Sequence, residues 1–70
     1  MWGIGELDGY EFYVKHFENG SEYGINEGKI SKLEIRKDGR TVANYDRGWD
    51  MEPQDAETQK VYEKILEKFN

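Results

Sequence analysis

The spacing of apolar residues divides the chain at Pro53. Before Pro53, short runs of β-branched and aromatic residues are separated by turn dipeptides such as Asp8-Gly9 and Asp38-Gly39, which is typical of antiparallel strands. After Pro53, apolar residues recur at helical spacing and fall on one stripe: Val61, Tyr62, Ile65, Leu66 and Phe69. We therefore predict a sheet over residues 1–50 and an amphipathic helix over residues 54–69.

The first hairpin is predicted from Asp8-Gly9, which favours a two-residue turn between residues 2–7 and residues 10–17. This turn places alternate residues on two faces, with Gly5 opposite Phe12 on one and Ile4 opposite Tyr13 on the other. The glycine face is the better candidate for the core, because glycines let a ring approach the backbone. The other face then leaves three apolar side chains half exposed: Trp2, Ile4 and Tyr13.

The second hairpin joins residues 29–37 to residues 40–47, and two registers compete for it. A two-residue turn sets Leu33 against Asn44, whereas a type I turn followed by a glycine bulge sets Leu33 against Ala43. The second register keeps apolar partners together, so we prefer it.

These elements predict one α+β domain over residues 1–70: an antiparallel meander of four or five strands with one C-terminal helix packed on a single face. Residues 23–25 would form a short extra strand before the chain reverses at Asn26-Glu27-Gly28. Trp49, between the last strand and the helix, is expected to plug the open end of the core.

Charge is unevenly distributed around a net value of −5. Residues 1–28 hold six acids against one lysine, residues 29–47 hold six bases against three acids, and residues 48–70 hold six acids against three lysines. An acidic protein is repelled by nucleic acid at long range, so nucleic-acid binding would depend on the basic hairpin 29–47. Its candidate residues are Lys29, Lys32, Arg36, Tyr45 and Arg47.

No cluster of residues indicates an enzyme, a metal site or a cofactor. His16 is the only histidine, and neither Ser21 nor Ser31 lies in a context typical of a nucleophile. The acids lack the spacing of a calcium loop, and the glycines do not form a phosphate loop. We find no signal peptide or membrane-length apolar run, and the absence of cysteine favours a reducing compartment, so we expect a cytoplasmic protein.

Three segments carry a family resemblance: residues 21–25 (SEYGI), 28–33 (GKISKL) and 45–50 (YDRGWD), followed by Pro53. The chain resembles a group of short uncharacterised proteins, with a domain of unknown function, from Gram-positive bacteria and their phages and mobile elements. This resemblance implies no activity. It implies a setting in which small proteins bind and modulate a larger host or rival protein.

The sequence thus favours a non-enzymatic protein-interaction module, acting as a monomer or homodimer. Its partner, another protein or a second copy, would bind at Trp2, Ile4 and Tyr13 within an acidic surface. The alternative is a nucleic-acid-binding module that uses the hairpin 29–47.

Overall fold

A computed structural model describes residues 1–70. Five antiparallel strands pair in chain order and are followed by one helix, which confirms the predicted α+β meander. The elements are β1 (Trp2–Leu7), β2 (Tyr10–His16), β3 (Ile30–Lys37), β4 (Arg40–Asp46), β5 (Trp49–Met51) and α1 (Ala56–Phe69).

The hairpin of β1 and β2 has the predicted register, with Gly5 opposite Phe12 and Ile4 opposite Tyr13. Asp8 and Gly9 both have positive φ, 53° and 84°, which is the type I′ turn that matches the twist of the two strands. Here the local turn signal was sufficient to set the pairing.

The preferred register of the hairpin of β3 and β4 is wrong. Lys37 pairs with Arg40 around a tight Asp38-Gly39 turn, and Val42 then forms a bulge in β4 that shifts all later pairs by one residue. The bulge keeps the turn that Asp-Gly favours and still brings apolar residues together across the strands. The pairs beyond it are Ile35 with Ala43 and Leu33 with Tyr45.

The predicted strand at residues 23–25 is also wrong, because this stretch belongs to a loop that ends in a short 3₁₀ turn, Ile25–Glu27. Ile25 is buried in the core, and its carbonyl accepts a hydrogen bond from the side chain of Asn70 at 3.1 Å. The fifth strand is instead β5, in which Trp49 pairs with Tyr45.

The helix begins at Ala56, because Asp55 caps it: the Asp55 carboxylate accepts a hydrogen bond from the Thr58 N–H at 2.8 Å. It packs on the face of the sheet that carries Gly3 and Gly5, called here the inner face. A Cβ on Gly3 would lie 2.8 Å from the Phe69 ring, so glycine is what lets this ring reach β1. The buried apolar residues are Tyr10, Phe12, Val14, Ile25, Ile30, Leu33, Ile35, Ala43, Tyr45, Val61, Tyr62 and Ile65.

Trp49 covers the core at the β5 edge of the sheet. Its ring lies edge-on against Tyr45 and Tyr62, with ring centroids 5.1 Å and 5.3 Å apart. The indole is half-buried, and its position in β5 places it beside the helix.

Candidate functional site

The face of the sheet opposite the helix, called here the outer face, carries the three residues expected to bind a partner. Ile4 lies opposite Tyr13, and Trp2 is the next residue of β1 on the same face. Trp2 is 56 % exposed and Ile4 is 72 % exposed, while Tyr13 is half-buried. The structure therefore brings all three together in one apolar patch at the edge of the sheet.

The backbone of β1 is open along the same edge, because β2 is its only neighbour in the sheet. In a two-residue hairpin the residues that flank the turn form the hydrogen-bonded pair, so Leu7, Gly5 and Gly3 bond to β2. The hydrogen bond from the His16 N–H to the Met1 carbonyl, 2.9 Å, continues this alternation. The outward N–H and C=O groups of β1 are therefore those of Trp2, Ile4 and Glu6.

Opposite charges lie at the two ends of the apolar patch. At the turn end, Glu6 faces Glu11 across the strands, and neither carboxylate has an ion-pair partner. The Glu11 carboxylate accepts only a hydrogen bond from the Tyr13 hydroxyl, at 3.2 Å. At the other end, the Lys15 ammonium lies 6.0 Å from the centre of the Trp2 ring.

The five residues of the nucleic-acid alternative are not brought together. Tyr45 is buried and its hydroxyl donates a hydrogen bond to the Tyr23 carbonyl at 2.8 Å, so its ring cannot stack on a base. Arg36 lies near the Asp38-Gly39 turn, where its guanidinium donates to the Gly39 carbonyl at 3.0 Å. Lys29 lines a separate cavity beside the C-terminal end of α1.

Lys32 and Arg47 of that set line one cavity together with residues that the sequence did not indicate. These include Lys15, which comes from the end of β2, and the exposed rings of Phe17 and Tyr23. No local signal marked the two rings, because their position depends on the path of the loop between β2 and β3.

The titratable groups with shifted pKa values lie away from both surfaces. The hydrogen bond from the Thr58 N–H lowers the pKa of Asp55, and burial raises the pKa of the Tyr62 hydroxyl. His16 packs against Phe69, with ring centroids 5.0 Å apart. No group of three or more His, Cys, Asp or Glu side chains is placed to hold a metal ion. No helix has the length and apolar character needed to cross a membrane.

Comparison with known proteins places the chain in a family. A family model described as Domain of unknown function (DUF7678) matches residues 1–70, so the chain belongs to that family. No curated protein and no solved structure matches it.

Proposed function

We propose that this member of the DUF7678 family is a non-enzymatic, cytoplasmic protein-interaction module that accepts an extended strand of a partner protein along β1. The observation that carries the proposal is an open strand edge whose outward backbone groups belong to residues with exposed side chains, Trp2 and Ile4. The resemblance to small phage and mobile-element proteins supports a role in modulating a larger host or rival protein.

The two edges of the sheet differ in how they are protected. Native proteins block edges with lysine, proline, bulges or very short strands. The β5 edge has only three residues and is followed closely by Pro53. The β1 edge has six residues with no lysine, proline or bulge, which suits it to strand addition.

The side chains along β1 define the chemistry of the partner strand. Alternate residues of an added strand would lie beside Trp2 and Ile4, and apolar side chains there would bury exposed surface. A lysine or arginine beside Glu6 would neutralise the unpaired carboxylates of Glu6 and Glu11. The proposed partner therefore presents an extended segment with alternating apolar residues and a basic residue at one end.

A pair of matched variants tests this site. Ile4→Lys places a charge on the β1 edge, whereas Met51→Lys makes the same kind of change at the β5 edge, where Met51 is 43 % exposed. We expect affinity capture from a lysate of the source cells to retain a partner with the wild type and Met51→Lys, and to lose it with Ile4→Lys. Capture that survives Ile4→Lys would contradict the proposal.

Hydrogen exchange then locates the contact on the backbone. Adding the captured protein should slow exchange of the amides of Trp2, Ile4 and Glu6, because they become hydrogen-bonded to the added strand. Sedimentation of the isolated chain should show a monomer at all concentrations. A dimer that Ile4→Lys dissociates would assign the edge to a second copy and overturn the choice of a different protein as partner.

A further inference from the structure

A second surface, next to the apolar patch, is a cavity at the end of the outer face that the proposed function does not use. It has a volume of about 260 Å³ and lies between the loop that follows β2 and the turn that joins β4 to β5. Its wall contains three cations, two aromatic rings and two serines, and no carboxylate. This composition differs from that of the chain as a whole, whose net charge is −5.

The three cations are Lys15, Lys32 and Arg47. The Arg47 guanidinium and the Lys15 ammonium make no hydrogen bond or ion pair within the chain. Lys32 has one carboxylate nearby, that of Asp46, at 3.8 Å, and both side chains are about half exposed. Such an exposed, long ion pair contributes little, so all three charges are available to an anion.

The two rings, Phe17 and Tyr23, are 49 % and 57 % exposed. They are large apolar surfaces beside cations, and the Lys15 ammonium lies 5.6 Å from the centre of the Phe17 ring. Aromatic rings and cations that alternate along one surface are the arrangement by which proteins hold the bases and phosphates of single strands.

Hydrogen bonds hold the backbone of the wall, while the side chains of Lys15 and Arg47 make none. The Arg47 N–H donates to the Ser31 carbonyl at 3.0 Å, and the Ser31 hydroxyl donates to the Lys15 carbonyl at 3.4 Å. The Tyr23 carbonyl accepts the hydroxyl of buried Tyr45 at 2.8 Å. These bonds join four separate parts of the chain, so the backbone that carries the cations and rings is fixed before any ligand binds.

We propose that this cavity binds a nucleotide unit: the three cations hold a phosphate, and the adjoining base stacks on Phe17 or Tyr23. A phosphate carries negative charge, which the three cations attract. An unpaired base offers a planar face that can stack on one of the exposed rings. Bases in a duplex are already stacked on each other, so the unit comes from a single strand or from a free nucleotide.

Three probes distinguish the sources: a fluorescein-labelled thymidine octanucleotide, thymidine monophosphate and inorganic phosphate. Fluorescence anisotropy at low salt measures the first, and displacement of the labelled strand measures the other two. One phosphate of a single strand, held by the three cations, predicts a slope of log K against log salt of about −0.7. Displacement by the mononucleotide at a similar concentration would identify the free nucleotide as the ligand, and weak displacement would identify the strand.

Matched variants distinguish binding in the cavity from attraction of the probe to any positive side chain on the surface. Arg47→Gln and Arg40→Gln remove the same charge, but Arg40 lies at the start of β4, outside the cavity. We expect Arg47→Gln to weaken binding, with Arg40→Gln close to the wild type. Alanine in place of the stacking ring, in Phe17→Ala or in Tyr23→Ala, should weaken binding roughly 5-fold to 150-fold, which corresponds to the loss of one stacked base.

One further variant separates binding from folding. Arg47 has φ of 57°, a conformation that glycine adopts without strain. Arg47→Gly should therefore fold at least as stably as the wild type while it loses affinity for the octanucleotide. Ile4→Lys, at the β1 edge, should leave octanucleotide affinity no weaker than that of the wild type.

Three outcomes would overturn the proposal. The first is no binding of either nucleotide probe at low salt. The second is an equal loss of affinity in Arg40→Gln and Arg47→Gln, which would show attraction to charge alone. The third is displacement by inorganic phosphate as efficient as that by thymidine monophosphate, which would show that the base makes no contact.

Discussion

The two faces of the sheet are built from the same strands, yet they differ in what covers them. On the inner face, the Phe12 ring packs against Phe69 of the helix, and Gly3 lets Phe69 approach the backbone of β1. On the outer face, the neighbouring residues Ile4 and Trp2 meet no covering element. The same strand therefore contributes stability through one face and an accessible surface through the other.

The difference shows that apolar character alone does not place a residue in this core. Ile4 is as hydrophobic as Ile65, but only Ile65, on the helix, lies between the helix and the sheet. A small domain has one core, and one helix can cover only one face of a sheet. The residues left uncovered are available for a partner.

The largest expected effect comes from the same substitution made on the two faces. Ile65→Ala removes a side chain that is fully buried, so we expect a loss of about 2–5 kcal/mol in the free energy of unfolding. Ile4→Ala should change it by no more than about 0.5 kcal/mol. Urea denaturation of both variants measures the contrast, and similar losses would mean that the helix does not cover the inner face alone.

A smaller effect is expected where glycine makes room for the helix. Gly3→Ala places a Cβ 2.8 Å from the Phe69 ring, so the ring must move, at a cost of about 1–3 kcal/mol. Gly48→Ala is the control, because a Cβ there meets no atom within 4 Å. If Gly3→Ala denatured at the same urea concentration as Gly48→Ala, Phe69 would not be packed against β1.

The cap of the helix predicts a dependence on pH. Because the pKa of Asp55 is lowered in the folded protein, its ionised form stabilises the fold above the ordinary value of 3.8, and this contribution disappears as the pH falls through the folded pKa. Asp55→Ala should therefore lower the melting temperature near neutral pH and have less effect in acid. A difference between wild type and variant that is constant from neutral pH into acid would contradict this.

A small effect on stability, comparable with that of Ile4→Ala, is expected at Tyr13, on the outer face. Tyr13→Ala loses a cross-strand contact with Ile4, so we expect a cost of about 0.2–1 kcal/mol together with weaker capture of the partner protein. Arg47→Ala, in the cavity wall, should leave partner capture unchanged. Equal capture by both variants would remove Tyr13 from the partner surface.

The two hairpins show when the residues of a turn are sufficient to predict the register of the strands that it joins. The turn at Asp8-Gly9 set the pairing of β1 and β2 correctly, because no other force acted against it. At Asp38-Gly39 the turn and the apolar pattern demanded different registers, and the bulge at Val42 satisfied both. The two registers compared from the sequence are uniform along the strands, and neither contains a bulge at Val42. The position of a bulge depends on packing across the complete sheet, so the local pattern did not predict it.

The candidate surfaces were predictable to different degrees. Alternation along the strands, together with the register of the Asp8-Gly9 hairpin, was enough to place Trp2, Ile4 and Tyr13 on one face, because side chains of a strand alternate with a period of two. The cavity was not predictable. Phe17 and Tyr23 lie in a loop, and Tyr45, a candidate residue of the nucleic-acid alternative, is buried in the core, where its hydroxyl donates a hydrogen bond to the Tyr23 carbonyl.

The sequence by itself determined the α+β class, the order of the strands, the helix, and which residues of the first hairpin lie on each face of the sheet. These features follow from contacts between residues close along the chain. Only the tertiary structure decided the bulge, the identity of the fifth strand and the exposed rings of the cavity. These depend on contacts between distant residues, such as Asn70 with Ile25 and Tyr45 with Tyr23. The free energy of such contacts is set by packing in three dimensions, which periodicity does not record.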